Sequence, residues 1–442
     1  MEVMTINAKD ITAIVSNDLC HSCGACANVC HPEVISFYET EAGHIFPKIN
    51  YEGCTACELC SAVCPGIEFG KTITNIMEKV KDPFEGYVLK TQIGQSKDKE
   101  ILENSQSGGI ASAIILHALE SNLIDTAIVA VMSNEGSIHG DVILAYNKED
   151  VLLSQQSKYI PIPLLTALSI VKKKKERFAL VGVSCHIHGL HNVLDRKPTL
   201  KKQFVFSIGL VCDRVMVNAG MDYLIDKAGV KKNDVTSFKF RDKKPYGYPG
   251  HVHIRTLKKS YVLSPEERMS IKDFFTPARC RICFDKMNIG ADITIGDPHG
   301  VENVDRVKGE SLVITRTKMG ESILNSIDSI KLRTGSYDIA LSGQSIKRKK
   351  EDWRGYIEQW IKLNKPVPSY YKYVSSFTTK TIDKKYVLNL KQALFLRSII
   401  NRDKLITKYH QQVKYYDLKR KLLLPAILIK RVLRKIKVRL SK

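Results

Sequence analysis

Short apolar segments separated by polar turns recur along this chain, and their pattern changes character at Tyr87. Before that point, Val34–Tyr38 (V-I-S-F-Y) and His44–Ile49 (H-I-F-P-K-I) read as two short strands around a turn at Thr40–Gly43. Glu2–Asn17 reads as a lead-in and Lys71–Pro83 as a connector. From Tyr87 onward strands and helices alternate. Tyr87–Gly94 is strand-like, Ile110–Glu120 is a helix, and Thr126–Met132 and His139–Tyr146 are strands. A lysine-rich helix, Leu164–Arg177, leads into a buried strand at Phe178–Val183, followed by a helix from about Ile187 to Leu194. Phe204–Cys212 and Ala291–Asp297 are two further buried strands. The pattern predicts a small α+β module over residues 1–70 and an α/β body behind it. At the far end, Leu428, Ile429, Val432, Leu433, Ile436 and Leu440 recur at helical spacing among basic residues, giving a basic helical tail over 381–442.

Composition sharpens this outline only in places. A chain of 442 residues with 44% hydrophobic content is long enough for two to four domains and a sizeable core. Met1–Ile14 lacks a basic segment followed by an apolar run, and the longest apolar run near the end, Leu422–Ile429, is far short of a membrane span. A cytoplasmic location follows as the expectation. The net charge of +22 is concentrated: Thr381–Lys442 holds 18 Lys and Arg against three Asp, a net of +15. Such a tail suits peripheral attachment to an anionic membrane on its inner face. The alternative is a helix docked on the body or on a partner subunit. No nucleic-acid reader motif accompanies the charge, so nucleic acid is not expected as a partner.

The twelve cysteines carry the chemistry. Cys20, Cys23, Cys26 and Cys30 form one C-x2-C-x2-C-x3-C run, and Cys54, Cys57, Cys60 and Cys64 repeat it 34 residues later. That spacing is the run of bacterial two-cluster ferredoxins, in which the fourth cysteine ligates the other cluster. Cys20, Cys23, Cys26 and Cys64 are therefore assigned to one [4Fe–4S] cluster, and Cys54, Cys57, Cys60 and Cys30 to the second. Zinc favours separated C-x2-C pairs, and disulfides need an oxidising compartment. In one departure from the repeat, proline follows Cys64 directly whereas His31 separates Cys30 from Pro32.

Cys185, Cys212, Cys280 and Cys283 remain. Four is the number a third cubane needs, and two of them sit at strand ends that a parallel sheet brings to one edge. Spacing leaves this open, because Cys185 and Cys212 also fit as small core residues and Cys280–Cys283 as half a zinc site. His186, His188 and His191 lie close in sequence, but helix-surface histidines are commoner than ligands. Two further stretches suit a phosphate-bearing cofactor. Ser105-Gln106-Ser107-Gly108-Gly109 precedes a helix N-terminus, where an ordinary cap with close glycine packing is the alternative. Lys158 and Tyr159 lie on an extended segment before Pro161 and Pro163, where a solvated loop is the alternative. No G-x-G-x-x-G supports a Rossmann site.

Taken in order, these pieces resemble the family of the coenzyme F420 hydrogenase/dehydrogenase beta subunit. The resemblance runs from Cys20 to about Thr317. It rests on S-Q-S-G-G at 105–109, L-I-D-T-A-I-V at 123–129, S-K-Y-I-P at 157–161, V-G-V-S-C-H at 181–186, I-G-L-V-C at 208–212 and C-R-I-C with A-D-I-T-I-G-D within 280–297. It implies an N-terminal flavin-binding domain over 84–170 and a C-terminal domain over 171–330. It also implies FAD touching Ser107, Gly108, Gly109, Lys158 and Tyr159, and a third [4Fe–4S] cluster on Cys185, Cys212, Cys280 and Cys283. Two departures lie near the implied flavin: Val183-Ser184-Cys185-His186 replaces the usual T-P-C-Q, and Gly296-Asp297-Pro298-His299 the usual G-D-x-W. The expected function is an oxidoreductase passing electrons between a hydride carrier, coenzyme F420 or another small redox carrier, and [4Fe–4S] clusters through FAD. Lys158 and Asp297 are its candidate catalytic groups. The alternative is a non-catalytic subunit relaying electrons between a partner redox enzyme and a carrier.

Overall fold

Four adjacent parallel strands in the largest sheet decide where the functional groups emerge. The computed structural model describes residues 4–134, 137–244, 246–379 and 383–413. They fall into one compact unit ending at Ser398 and a second beginning at Ile399. In the first unit, β1 (Ile35–Glu39) and β2 (Ile45–Ile49) pair as an antiparallel hairpin. The body begins with β3 (Lys90–Ser96), β4 (Thr126–Ser133), β5 (His139–Ala145), β6 (Phe178–Val183) and β7 (Phe204–Leu210). A separate antiparallel sheet follows, made of β8 (Val235–Asp242), β9 (His251–Thr256) and β10 (Ser260–Leu263). The chain then adds β11 (Ile293–Gly296), β12 (Ser311–Thr315) and β13 (Ile330–Thr334). The main sheet has the order β13-β3-β12-β11-β7-β6-β4-β5, with β4, β6, β7 and β11 parallel and the outer pairings antiparallel.

The parallel strands read as continuous apolar runs because both faces are covered. On one face Ala179, Ile208 and Ile293 pack with the helix Ile110–Glu120. On the other, Phe178, Leu180 and Ile128 pack with Leu164, Leu165, Ile187 and Leu190, and Cys23, Ala25, Val29 and Val63 of the cysteine-rich module join the same core. The module is thus built into the body. Gly70 N–H donates to Asn192 Oδ1 at 2.7 Å, and Leu165 N–H donates to the Cys23 carbonyl at 3.0 Å.

A third core binds the module to the last helices of the unit. Ile14, Leu19, Phe46 and Ile49 pack in one cluster with Phe84 and Phe284, and with Trp353, Trp360, Tyr386 and Leu390 from the helices Ile346–Lys362 and Lys384–Phe395. Asp18 receives Lys365 at 2.5 Å and Arg397 at 2.9 Å, and Arg397 also donates to the Val15 carbonyl.

Several segments differ from the sequence reading. Lys71–Lys79, expected as a connector, is a helix, because Ile73, Ile76, Met77 and Val80 fall at helical spacing and Ile73 and Met77 are buried. Ile11–Ser16 of the lead-in is helical, with Asp10 Oδ1 accepting from Thr12 N–H at 2.8 Å and Ala13 N–H at 3.4 Å. The helix after β6 begins at Ser184, so Cys185 lies in its first turn. Leu164–Arg177 divides into a 3-10 turn, Leu164–Ala167, and a helix, Leu168–Lys174. β7 ends at Leu210, two residues before Cys212. Of the tail, Lys384–Phe395 belongs to the first unit, and residues 402–413 of the second are helical. The amphipathic helix expected over Leu422–Leu440 lies outside the described residues. No helix of the described residues is long and apolar enough to cross a membrane.

Candidate functional site

The two cysteine runs repeat in backbone shape as well as in spacing. Ser22 and Ala56 have φ of 60° and 51°, and Gly24 and Glu58 have φ of 90° and 59°. Each pair is separated by the same 34 residues as the cysteines. Two left-handed residues bend each loop sharply, and a non-glycine residue there costs on the order of 1 kcal/mol. Strain placed identically in both loops is what cluster-binding loops require.

The surroundings of the two loops differ. A Cβ on Gly24 would stand 2.7 Å from the Pro163 carbonyl and 2.9 Å from Thr166 N, so the first loop presses directly on the body. Its counterpart Glu58 is exposed. Cys23, Cys26 and Cys64 are buried, whereas Cys57 is exposed and Cys30, Cys54 and Cys60 are partly so. Burial pushes the Cys20 thiol up to about 12 and the Cys23 thiol to about 11, and raises Cys26 and Cys64 as well. The Leu59 N–H and the Thr55 side chain instead hold the Cys57 thiol below its ordinary value.

Mutual electrostatic influence among the thiols shows which lie together. Cys26 feels Cys23, Cys20, Cys64 and, more weakly, Cys60. Cys64 feels Cys23 and Cys20. Cys185 feels Cys23, Cys212, Cys283 and Cys280. Cys20, Cys23, Cys26 and Cys64 therefore form an inner group, with Cys60 near Cys26 and with Cys23 near Cys185 of the body group, while Cys30, Cys54, Cys57 and Cys60 are the outer group by their spacing in the sequence. All four body cysteines are free thiols brought to one edge of the sheet from three separate elements. Among the described residues, no three His, Cys, Asp or Glu side chains close around a single-ion site. A cubane needs wider spacing than zinc, because each thiolate binds a different iron.

Between the inner and body groups lies Arg279. It is 3% exposed and its Nη2 donates to Tyr370 Oη at 2.5 Å, while Nε and Nη1 have no partner. Its charge acts on Cys20 and Cys64 on one side and on Cys280 and Cys283 on the other. A buried guanidinium with unpaired N–H groups is costly unless an anion stands beside it, and thiolate-bound clusters are anionic. The three histidines do not converge. His186 Nε2 lies 3.0 Å from the Ile162 carbonyl, His188 Nε2 2.9 Å from Asp285, and His191 Nε2 2.9 Å from the Gly290 carbonyl.

The residues proposed around a flavin adjoin the body group. Asn104 donates to Gln155 Oε1 at 2.8 Å, which joins the 105–109 turn to the segment carrying Lys158 and Tyr159. Gly109 has φ of 73° at the start of the helix Ile110–Glu120. A Cβ on Gly108 would meet the Gly94 carbonyl at 2.3 Å, and its N–H donates to Ser311 Oγ at 3.0 Å, so close packing explains that glycine. Ser107 Oγ lies 3.1 Å from Ser311 Oγ. Lys158 donates to the carbonyls of Ser154 and Gln155, and burial lowers its ammonium to about 7.

Three basic residues went unnoticed in the sequence. Arg241, at the end of β8, donates through Nη1 to Asp297 Oδ2 at 2.7 Å and to Tyr159 Oη at 3.1 Å. Lys243 donates to Ser105 Oγ at 3.1 Å and to the Ser107 carbonyl at 2.6 Å, and burial lowers it to about 8. Arg268 stacks 5.2 Å from the Tyr159 ring centre, is buried, and has an unpartnered Nε. The signal was F-K-F-R-D-K-K before Y-G-Y-P-G, a basic strand end running into a turn. Cations thus outnumber carboxylates here, and a bound phosphate group would supply the missing negative charge. The connection to the body group is short: Gln344 donates to the Asp297 carbonyl at 2.7 Å, Lys286 to the Gln344 carbonyl at 2.5 Å, and Cys212 N–H to the Lys286 carbonyl at 3.0 Å.

Three family models match successive parts of the chain. Residues 19–66 match the 4Fe-4S dicluster domain. Residues 91–169 match the N-terminal part of the coenzyme F420 hydrogenase/dehydrogenase beta subunit, and residues 175–338 its C-terminal part. A subunit of the F(420)H(2) dehydrogenase from Methanosarcina mazei is 27% identical over 72% of this chain and 84% of its own length. The coenzyme F420 hydrogenase beta subunit of Methanococcus voltae is 26% identical over 65% of this chain and 99% of its own. Coenzyme F420-dependent sulfite reductase from Methanocaldococcus jannaschii is 26% identical over 72% of this chain but only 47% of its own length. A protein in the F420-reducing [NiFe] hydrogenase complex from Methanosarcina barkeri shares the fold, with a TM-score of 0.50 and 20% identity over 66% of this chain and 99% of that one.

Proposed function

The chain belongs to the family of the coenzyme F420 hydrogenase/dehydrogenase beta subunit, and on that premise we propose that it is an iron–sulfur flavoprotein exchanging electrons between a two-electron hydride carrier and [4Fe–4S] clusters. The observation that carries this reading is the nearness of the inner thiol group to the body group, through Cys23 and Cys185, beside a cation-rich pocket. Cys54, Cys57, Cys60 and Cys30 would hold the outer cluster, Cys20, Cys23, Cys26 and Cys64 the inner one, and Cys185, Cys212, Cys280 and Cys283 the third. FAD bound in the pocket would supply the conversion between hydride and single electrons.

Within this reading the protein's own side chains have distinct tasks. Arg268, Lys243 and Lys158 offer positive charge to phosphates, beside Ser107, Gly108 and Gly109. Tyr159, fixed by Arg241, by edge contact with Phe240 and by Arg268 against its ring, would border the bound flavin. Asp297 anchors Arg241 and is the carboxylate assigned to proton handling. The hydride carrier is coenzyme F420 or a chemically similar donor, which the names of the relatives support.

Anaerobic purification of the full chain, reconstituted with iron and FAD, tests the reading. About twelve irons per chain and a flavin spectrum are expected; about eight irons without flavin would reduce the body to a scaffold. Reduction of a dye by reduced deazaflavin without any partner supports the enzyme. Turnover that appears only with a redox partner points to the relay reading, which the naming of the relatives as subunits supports.

A further inference from the structure

The outer thiol group borders two surfaces of opposite charge. Around Cys57 the exposed residues include Glu52 and Glu58. On the other side, Cys30 lies in the wall of a groove lined also by His31, Glu33, Lys172, Lys173 and Lys197, with Leu168 and Leu200. Three lysines face one carboxylate there, and Glu33 is 3.4 Å from Lys173. Lys197 Nζ stands 3.4 Å from His31 Nε2. His31 is the residue by which the first cysteine run departs from the second. Behind the groove, Arg196, Lys201 and Lys202 are exposed on the same edge, with Asp195 3.8 Å from Lys201.

We infer that this groove docks a small acidic one-electron carrier protein beside the Cys30 thiolate. The inference rests on the redox reading above and deepens it by naming the class of partner. Electron transfer falls steeply with distance, so a carrier must approach where a cluster ligand nears the surface, and Cys30 meets that condition. The groove's lysines are long and reach solvent. Such groups steer an oppositely charged protein over a distance rather than hold a small anion, which needs a fixed fork of donors. The electrons balance: one reduced deazaflavin gives up two electrons and two protons, one from its hydride and one from its ring N–H, and two oxidised carriers each gain one electron in successive encounters.

The test uses the full chain, reconstituted anaerobically, and an acidic two-cluster bacterial ferredoxin as probe. Three proteins are compared: wild type, a groove variant Lys172→Glu/Lys173→Glu/Lys197→Glu, and a control variant Lys99→Glu/Lys258→Glu/Lys318→Glu reversing exposed charges away from the groove. Affinity for the ferredoxin is measured by calorimetry at low and moderate salt, and iron content and visible spectra are recorded on the same samples. Expected are a wild-type affinity that falls about tenfold with added salt, a loss of about tenfold or more in the groove variant at low salt, and a change within about twofold in the control. The proposal is overturned if the groove variant binds like wild type, or if both variants weaken equally. It is also overturned if the groove variant loses binding to phosphatidylglycerol vesicles but not to ferredoxin, since the patch would then be a lipid surface. Should the triple reversal lose iron, Lys172→Ala/Lys197→Ala is judged by direction, a severalfold loss supporting docking and no change refuting it. Absence of iron from every sample would sink the redox reading, whereas iron-replete samples that ignore charge reversal would sink the docking site alone.

Discussion

Two runs with one spacing meet very different surroundings in this molecule. The first run carries Gly24 where its loop touches the Pro163–Thr166 segment, and the second carries Glu58 at the equivalent position in open solvent. Both backbones adopt the left-handed conformation there, so conformational need alone does not select glycine. Space does. The comparison separates what a ligand-binding loop demands, a bent backbone and three thiols, from what its neighbours demand. One run thereby lies packed against the body and the other lies at the surface.

Breaking the comparison at its thiols has the largest expected effect. Cys26→Ser, at a buried position in the shared core, should bring iron from about twelve to fewer than about eight per chain and lower reduction of a ferredoxin by about a hundredfold or more, since in the proposed array the inner cluster links the outer one to the body. Cys57→Ser should remove about four irons and leave reduction of small dyes at the flavin end within a few-fold of wild type. Iron analysis, low-temperature EPR and anaerobic assays check both. Equal losses in the two variants would erase the distinction between inner and outer groups.

Exchanging the loop residues comes next. Gly24→Glu forces a side chain into backbone at under 3 Å and should destabilise by about 3 kcal/mol or more, seen as a lower denaturant midpoint. Glu58→Gly should change stability by no more than about 1 kcal/mol, because it relieves left-handed strain while loosening the unfolded chain.

Arg279 sharpens the contrast between the buried and exposed ends. Replacing it with glutamine removes a positive charge beside the inner and body groups, which disfavours the more negative reduced clusters. Their reduction potentials should fall by roughly 40–90 mV, corresponding to about 1–2 kcal/mol of screened charge interaction. The outer cluster should move little. EPR-monitored redox titration reads all three, and Arg279→Lys should restore much of the shift.

The smallest effect belongs to the far end of the array. Burial holds Lys158 at about 7, below the ordinary lysine value of 10.5. As pH rises through 7 the folded FAD-free protein loses this cation, so FAD should bind more weakly at pH 9 than at pH 6.5, by up to about tenfold per pH unit until the pKa of the complex is reached. For folding the sign is opposite. Between about 7 and 10.5 the unfolded chain holds the proton and the folded one does not, so this group's contribution to stability rises with pH across that window. Fluorescence titration with FAD checks the first statement, and Lys158→Arg should flatten the profile.

The unequal reach of sequence reading follows from the same contrast. The eight N-terminal cysteines were legible because all the constraint lies within 45 residues, Cys20 to Cys64. The grouping of Cys185, Cys212, Cys280 and Cys283 was legible only in part: their number and two strand ends pointed to one edge and the family resemblance supplied the set, while spacing carries no trace of how β6, β7 and a short helix at Ala278–Arg281 bring them together. Arg241, Lys243 and Arg268 were missed for a related reason. A basic residue at a strand end, like Arg241 and Lys243, or on a polar helix, like Arg268, usually faces water, and only the fold turns these three inward. The Lys71–Lys79 helix was readable from its apolar spacing, but its lysines and threonines suggested a linker. The three-stranded sheet β8–β10 reaches the site through the basic end of β8, where Arg241 holds Asp297.

The clasp on Asp18 bears on how the protein is made. Its partners Lys365 and Arg397 lie some 350 and 380 residues further along the chain. At about 5–20 residues per second, a ribosome that has just delivered Asp18 needs roughly 20–75 s more to reach Arg397. Throughout that interval the face of the module that the last helices cover has no partner from its own chain, and it is covered only once they are made.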